Sequence, residues 1–116
     1  MPPRVFFIVT SDPRVSARPA EAVRVAAGLS SGRNLPVQLY LRDAAVLALS
    51  EMADELVDGE NFSRYLPLFL DSGQSIFVQA GAPLLTELPG VQTKFEPVDD
   101  ARLAQEIASS RYVLRF

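Results

Sequence analysis

Two short stretches hold the side chains with the most chemical reach. The first, TSDPRVSAR over residues 10–18, sets Ser11, Asp12, Arg14 and Ser16 close together directly before a helical pattern. Free backbone N–H groups and the helix dipole at such a junction favour an anion, and an Arg guanidinium adds planar bidentate donors for carboxylate or phosphate. The second, SIFVQAGAP over residues 75–83, ends an apolar run at Gln79 and continues into Ala80, Gly81, Ala82 and Pro83. Gln79 can both donate and accept hydrogen bonds, and the small residues after it leave room for a ligand or a partner side chain. Each stretch also has an ordinary alternative. Ser16 caps the helix, Asp12-Pro13 makes a turn and Arg14 points to solvent, while Ala80 to Ala82 form a tight strand-to-helix connection.

Much other chemistry is excluded. The chain has no Cys and no His, which removes disulfides, thiolate metal sites, a thiol nucleophile and the commonest general base and metal ligand. No Gly-rich phosphate or dinucleotide fingerprint occurs. Glu51, Asp54, Glu55, Asp58 and Glu60 lack the ligand order of a calcium loop and read as a solvated face. Asp99 and Asp100 are adjacent, so on a helix they point apart and suit capping better than shared acid/base work. No catalytic residue, metal site or cofactor is therefore expected. The net charge is −3, and the 11 basic residues are dispersed from Arg4 to Arg115 rather than gathered into a stripe, which argues against a nucleic-acid partner. No apolar run approaches the roughly 18 residues that span a bilayer. The Val5–Val9 run is too short for a signal-peptide core, so the expected location is the cytoplasm.

These stretches must be positioned by a scaffold, and the pattern supplies one. With 116 residues, 48% hydrophobic and 22% charged, the composition suits a single domain over 1–116. Val5–Val9, between Pro2-Pro3 and Ser11-Asp12-Pro13, is continuously apolar, as in an internal strand of a parallel sheet. Arg18 to Leu29 carries Pro at helix entry and Ala22, Val25, Ala26 and Leu29 on one stripe, predicting a helix that closes near Ser31-Gly32. Val37 to Leu41 reads as a second strand, and Asp43 as the cap of a helix through Ala44 to Leu49. A further helix is predicted over Phe62 to Leu70, interrupted or kinked at Pro67 and ended by Gly73. Then follow a strand Ser75 to Gln79, a short helix Pro83 to Glu87, a short strand Lys94 to Glu96, a helix Ala101 to Ala108 capped by Asp99 or Asp100, and a strand Tyr112 to Phe116. The expected fold is a three-layer α/β/α sandwich with a four- or five-stranded, mainly parallel sheet. Ligands of such sheets bind beyond the carboxyl ends of the strands, so the loops Thr10 to Arg18, Arg42-Asp43 and Gln79 to Pro83 should share one edge.

In this order, VFFIVTSDP, RPAEAVRVAAGLSSG, VQLYLRDAAVLAL and LFLDSGQSIFVQAGAP resemble the DsrE/DsrF-like (YchN-like) sulfur-relay family over nearly the whole chain. The resemblance implies a largely parallel sheet between helices and assembly as trimers or hexamers, sometimes with related DsrE-like subunits. It also implies a persulfide-carrying cysteine just after the third strand. Here Gln79, or alternatively Ala80, stands at that position, and the Arg-Gly that often follows is met only by Leu88-Pro89-Gly90. Gln is neither nucleophilic nor ionisable near neutral pH, so sulfur carriage is not inherited.

What the resemblance implies instead is a non-catalytic assembly subunit or binding module linked to intracellular sulfur metabolism. The alternative is a small-molecule or anion-binding protein, or an unusual enzyme, using Ser11, Asp12, Arg14, Ser16, Gln79, Ala80 and Gly81. A homo-oligomer is expected on three further grounds: the high apolar content, the bulky stripe Phe62, Tyr65, Leu66, Phe69 and Leu70, and the apolar terminal residue Phe116. All three suggest apolar surface left over in a monomer, the alternative being that all of this bulk is internal core.

Overall fold

The computed structural model of the chain describes residues 3–116, so Pro2 of the expected Pro2-Pro3 boundary lies outside the described residues. Five strands, β1 (Val5–Val9), β2 (Val37–Leu41), β3 (Ile76–Gln79), β4 (Glu96–Val98) and β5 (Tyr112–Arg115), form one sheet in the order β4-β3-β2-β1-β5. Every neighbouring pair is parallel, with Val5 opposite Val37 and Tyr112, Leu39 opposite Ile76, and Phe77 opposite Glu96. The expected interior place of β1 is borne out: β2 and β5 flank it, and all five of its residues are buried.

Strand alternation divides the core into two. Val5, Phe7, Val9, Leu39, Leu41, Ile76 and Val78 face one side, where α1 (Arg18–Ala27) and α2 (Glu60–Asp71) cover them. Phe6, Ile8, Tyr40, Phe77 and Val98 face the other side, under α3 (Asp100–Ala108), which contributes Leu103 and Ile107. The result is the three-layer α/β/α arrangement. At its first residues α3 is capped by Asp99, whose carboxylate accepts the Arg102 N–H at 2.8 Å. At its last turn Glu106 pairs with Arg4 at 2.6 Å, and Arg4 also donates to buried Gln38 of β2. No described helix is long and apolar enough to cross a membrane.

Several local expectations are corrected. Residues 43–49 form a 3₁₀ helix rather than an α-helix, and Asp43 is no side-chain cap but sits inside it in the left-handed region at φ 54°. The helix over α2 runs without a break through Pro67. Pro67 is exposed, so the bond it cannot make lies on the solvent side, while Phe62, Leu66 and Phe69 are buried on the opposite side. Tertiary burial thus outweighs a local penalty of about 3 kcal/mol. The short fourth strand lies two residues later than expected and contains Pro97 opposite Val78. An edge strand is bonded on one side only and tolerates a residue with no N–H.

The α1 helix ends in a π-type turn, Gly28–Gly32, close to the expected stop. At the start of α2, Gly59 is required by contact: a Cβ there would lie 2.2 Å from the Ala53 carbonyl oxygen. This lets the 3₁₀ turn Ala53–Glu55 pack directly beneath the helix N-terminus.

Candidate functional site

The three expected loops do lie together at the carboxyl ends of the strands. The Arg42 N–H donates to Val9 O at 2.9 Å, the Gln79 side-chain oxygen accepts the Asp43 N–H at 2.9 Å, and the Ala80 N–H donates to Val98 O at 3.0 Å. Within that edge, however, the sequence-derived residues do not converge. Asp12 accepts both the Arg14 backbone N–H at 2.9 Å and its guanidinium at 2.9 to 3.2 Å. These hydrogen bonds hold the Asp12 carboxyl below its ordinary range. Ser16 accepts the Arg18 N–H at 3.1 Å, one position ahead of the helix-capping residue Ala17. The Ser11 N–H donates to Phe116 O at 3.3 Å. Arg14 lines a groove of about 280 Å³ with Leu47, Met52, Leu84 and Glu87, and Gln79 is not part of that lining.

Gln79 is a clip between strands. Its amide oxygen fixes the backbone of Asp43, the residue forced to positive φ where β2 turns into the 3₁₀ helix. Ala80 and Gly81 are exposed, Gly81 has φ 75°, and the Ala82 N–H closes the turn on Gln79 O at 3.3 Å. Glycine takes that conformation without the steric cost of a Cβ.

A different set of side chains converges beside this clip. A depression of about 570 Å³ lies between α3 and the carboxyl ends of β1, β2 and β5. Alternation on β1 points Ile8 and Thr10 to it, and alternation on β2 points Tyr40 and Arg42 to it. Arg115 of β5 and Asp43, Asp100, Leu103 and Ile107 complete the lining. One terminal nitrogen of Arg42 donates to the Tyr40 hydroxyl at 2.9 Å and to Asp100 at 3.0 Å. Tyr40 is fully buried, and burial pushes its phenol above the ordinary value despite the neighbouring Arg42. It therefore stays protonated near neutral pH and acts as a hydrogen-bonding group rather than a base. The hydrogen bonds to Asp100 and Tyr40 raise the Arg42 guanidinium further, keeping a fixed cation at the rim.

Of these residues, the sequence pattern pointed to the Arg42-Asp43 turn and to Thr10 at the start of the first loop. Tyr40 was legible as the residue two before Arg42 on the same face of a strand. Asp100 and Arg115 lie more than fifty residues further along the chain, and no local signal ties them to Tyr40. Such a lining can bind an anion through charge-assisted hydrogen bonds. Among the described residues no group of three His, Cys, Asp or Glu side chains converges to hold a metal ion.

No protein-family model matches the sequence, and no curated protein sequence is significantly similar to it. Among solved structures, the ychN protein from E. coli superposes on all of the chain, with 100% of each chain covered, a TM-score of 0.77 and 22% identity. That identity speaks to fold alone, and on it, together with the five-stranded parallel sheet, the chain has the YchN-like fold of DsrE-type proteins.

Proposed function

We propose that the protein is a non-catalytic module of the DsrE-like fold that works by assembling with copies of itself, as a trimer or a dimer of trimers, or with related DsrE-like subunits. Its link to intracellular sulfur metabolism rests on that kinship of fold. The observation that carries the reading is the end of β3, where a sulfur carrier needs a thiolate. Gln79 stands there, its side chain bonded to the Asp43 N–H, in a chain without cysteine.

Two of the features that suggested assembly are used internally. Phe62, Leu66 and Phe69 are core, and Phe116 stacks on Phe7 at 5.4 Å between ring centres. Assembly is supported instead by apolar residues left on the surface: Val15 (81% exposed), Met52 and Val57 around the carboxyl edge, and Tyr112, Val113 and Leu114 on the open edge strand β5. Light scattering across a micromolar dilution series tests this. A mass at a three- or sixfold multiple of 12.7 kDa is expected, and a monomer mass throughout would remove the assembly reading.

A second reading is favoured by a specific observation, the depression lined by Arg42 and Arg115. On that reading the protein is a small-molecule or anion-binding module whose site lies at the carboxyl edge of the sheet.

A further inference from the structure

We propose that the depression between α3 and the ends of β1, β2 and β5 binds a small organic monocarboxylate, its carboxylate on Arg115 and Arg42 and its apolar body against Ile8, Leu103 and Ile107. This rests on the second reading above and names its ligand class.

Position is the first argument. The chain builds β1 to β4 in one direction and then returns through α3 to place β5 on the far side of β1. The strand order reverses between β1 and β5, the place where open α/β sheets form their ligand crevice. The volume of about 570 Å³ falls in the roughly 300–1,000 Å³ range of small-molecule sites.

The donors are the second. Arg42 uses one terminal nitrogen for Tyr40 and Asp100, leaving its other terminal nitrogen and Nε to face a ligand. Arg115 lines the depression and makes no side-chain hydrogen bond or ion pair with any described residue. Two planar guanidinium groups at one concavity match the geometry of a carboxylate. The Tyr40 hydroxyl accepts from Arg42 and so helps to hold that guanidinium in place, and Thr10 adds an exposed hydroxyl.

Charge and wall chemistry select the class. Arg42 and Arg115 are balanced by Asp43 and Asp100, so the lining has no net charge, and the second charge of a dianion such as phosphate would face the two carboxylates uncompensated. A monoanion is served by the local donors alone. Asp100 is already engaged by Arg42, which leaves Arg115 as the cation of the lining with no ion-pair partner among the described residues. Ile8, Leu103 and Ile107 form an apolar wall that a free inorganic anion would leave unused.

Thermal-shift and calorimetric titrations of the whole chain at constant ionic strength test this with hexanoate and benzoate, the neutral isosteres hexanol and benzamide, hexylamine, and inorganic phosphate. Expected are a concentration-dependent rise in Tm with the carboxylates only and at least a tenfold loss of affinity in Arg115→Ala, with Arg115→Lys intermediate. In the unmodified protein, carboxylate should shift the backbone amide resonances of Arg42, Leu103, Ile107 and Arg115 and leave Gly28–Gly32 unmoved, a readout that holds even if a variant fails to fold. Stabilisation by phosphate or hexylamine but not carboxylate, abolished by Arg115→Ala, would keep the site and overturn the ligand class. Resonance shifts elsewhere would overturn the location, and no response to any probe would overturn both the class and the second reading.

Discussion

Replacing Gln79 by Cys tests the clip at the end of β3 and the openness of that strand end together. The substitution removes the oxygen that accepts the Asp43 N–H at 2.9 Å, because a Cys sulfur sits too close to its own backbone to reach the next strand end. A typical hydrogen bond contributes a net 0.5–1.5 kcal/mol or so. This one is exposed, so water can take over the freed N–H. The expected cost is about 1 kcal/mol, or roughly 4 °C in Tm for a domain of this size. Part of that cost belongs to Asp43, held at φ 54° by the clip. Asp43→Gly should therefore soften the effect, and a double-mutant cycle should return a coupling of about 0.5 kcal/mol or more. Denaturant unfolding measures the stability, and a thiol-reactive disulfide reagent applied to the folded protein measures access. The thiol should react in the native state, since position 79 is half-buried and followed by exposed Ala80 and Gly81. A loss above about 3 kcal/mol would show that Gln79 is a packing residue rather than a clip. No loss would show that the bond does nothing, and a thiol inert until unfolding would show that the strand end is closed.

Leu66→Ala should cost about 2–5 kcal/mol and Leu68→Ala less than about 0.5 kcal/mol, since Leu66 is 1% and Leu68 45% exposed; equal effects in chemical denaturation would contradict the placement of α2. Gly59→Ala should destabilise the fold by forcing apart α2 and the 53–55 turn, because the added Cβ meets backbone at 2.2 Å; a melting temperature unchanged from the parent would refute that contact. The folded-state phenol of Tyr40 lies above its ordinary value of 10.0 because of burial. Its contribution to stability is thus complete below the unfolded value near 10 and is lost as pH rises through the folded value. Stability should fall on the alkaline side, and Tyr40→Phe should flatten that part of the profile; an identical alkaline limb in the variant would show that another group is responsible.

What the amino-acid sequence determined by itself is the set of elements whose burial pattern is local. Five consecutive apolar residues at Val5–Val9 can be satisfied only by a strand covered on both faces, and the structure places β1 between two neighbours and two layers of helix. The 3.6-residue stripe of Arg18 to Leu29, a cap at Asp99 or Asp100, which the structure assigns to Asp99, and the short turn of helix at Pro83–Glu87 were legible for the same reason. Each is decided by neighbours within one or two turns.

Local pattern could not say what an apolar stripe packs against. The stripe of Phe62, Leu66 and Phe69 was a ground for expecting assembly and became core, and Pro67 was absorbed because the face it disrupts is the solvent face. Nor could it say that Gln79 spends its side chain on Asp43, or that Tyr40, Arg42, Asp100 and Arg115 meet at one concavity. Those meetings depend on strand order and on the crossover that carries α3 to the opposite face of the sheet. Only the tertiary structure decides them, because the energy that brings residues 40, 100 and 115 together is the burial of Phe6, Ile8, Tyr40 and Phe77 under α3, a property of the assembled layers and of no single segment.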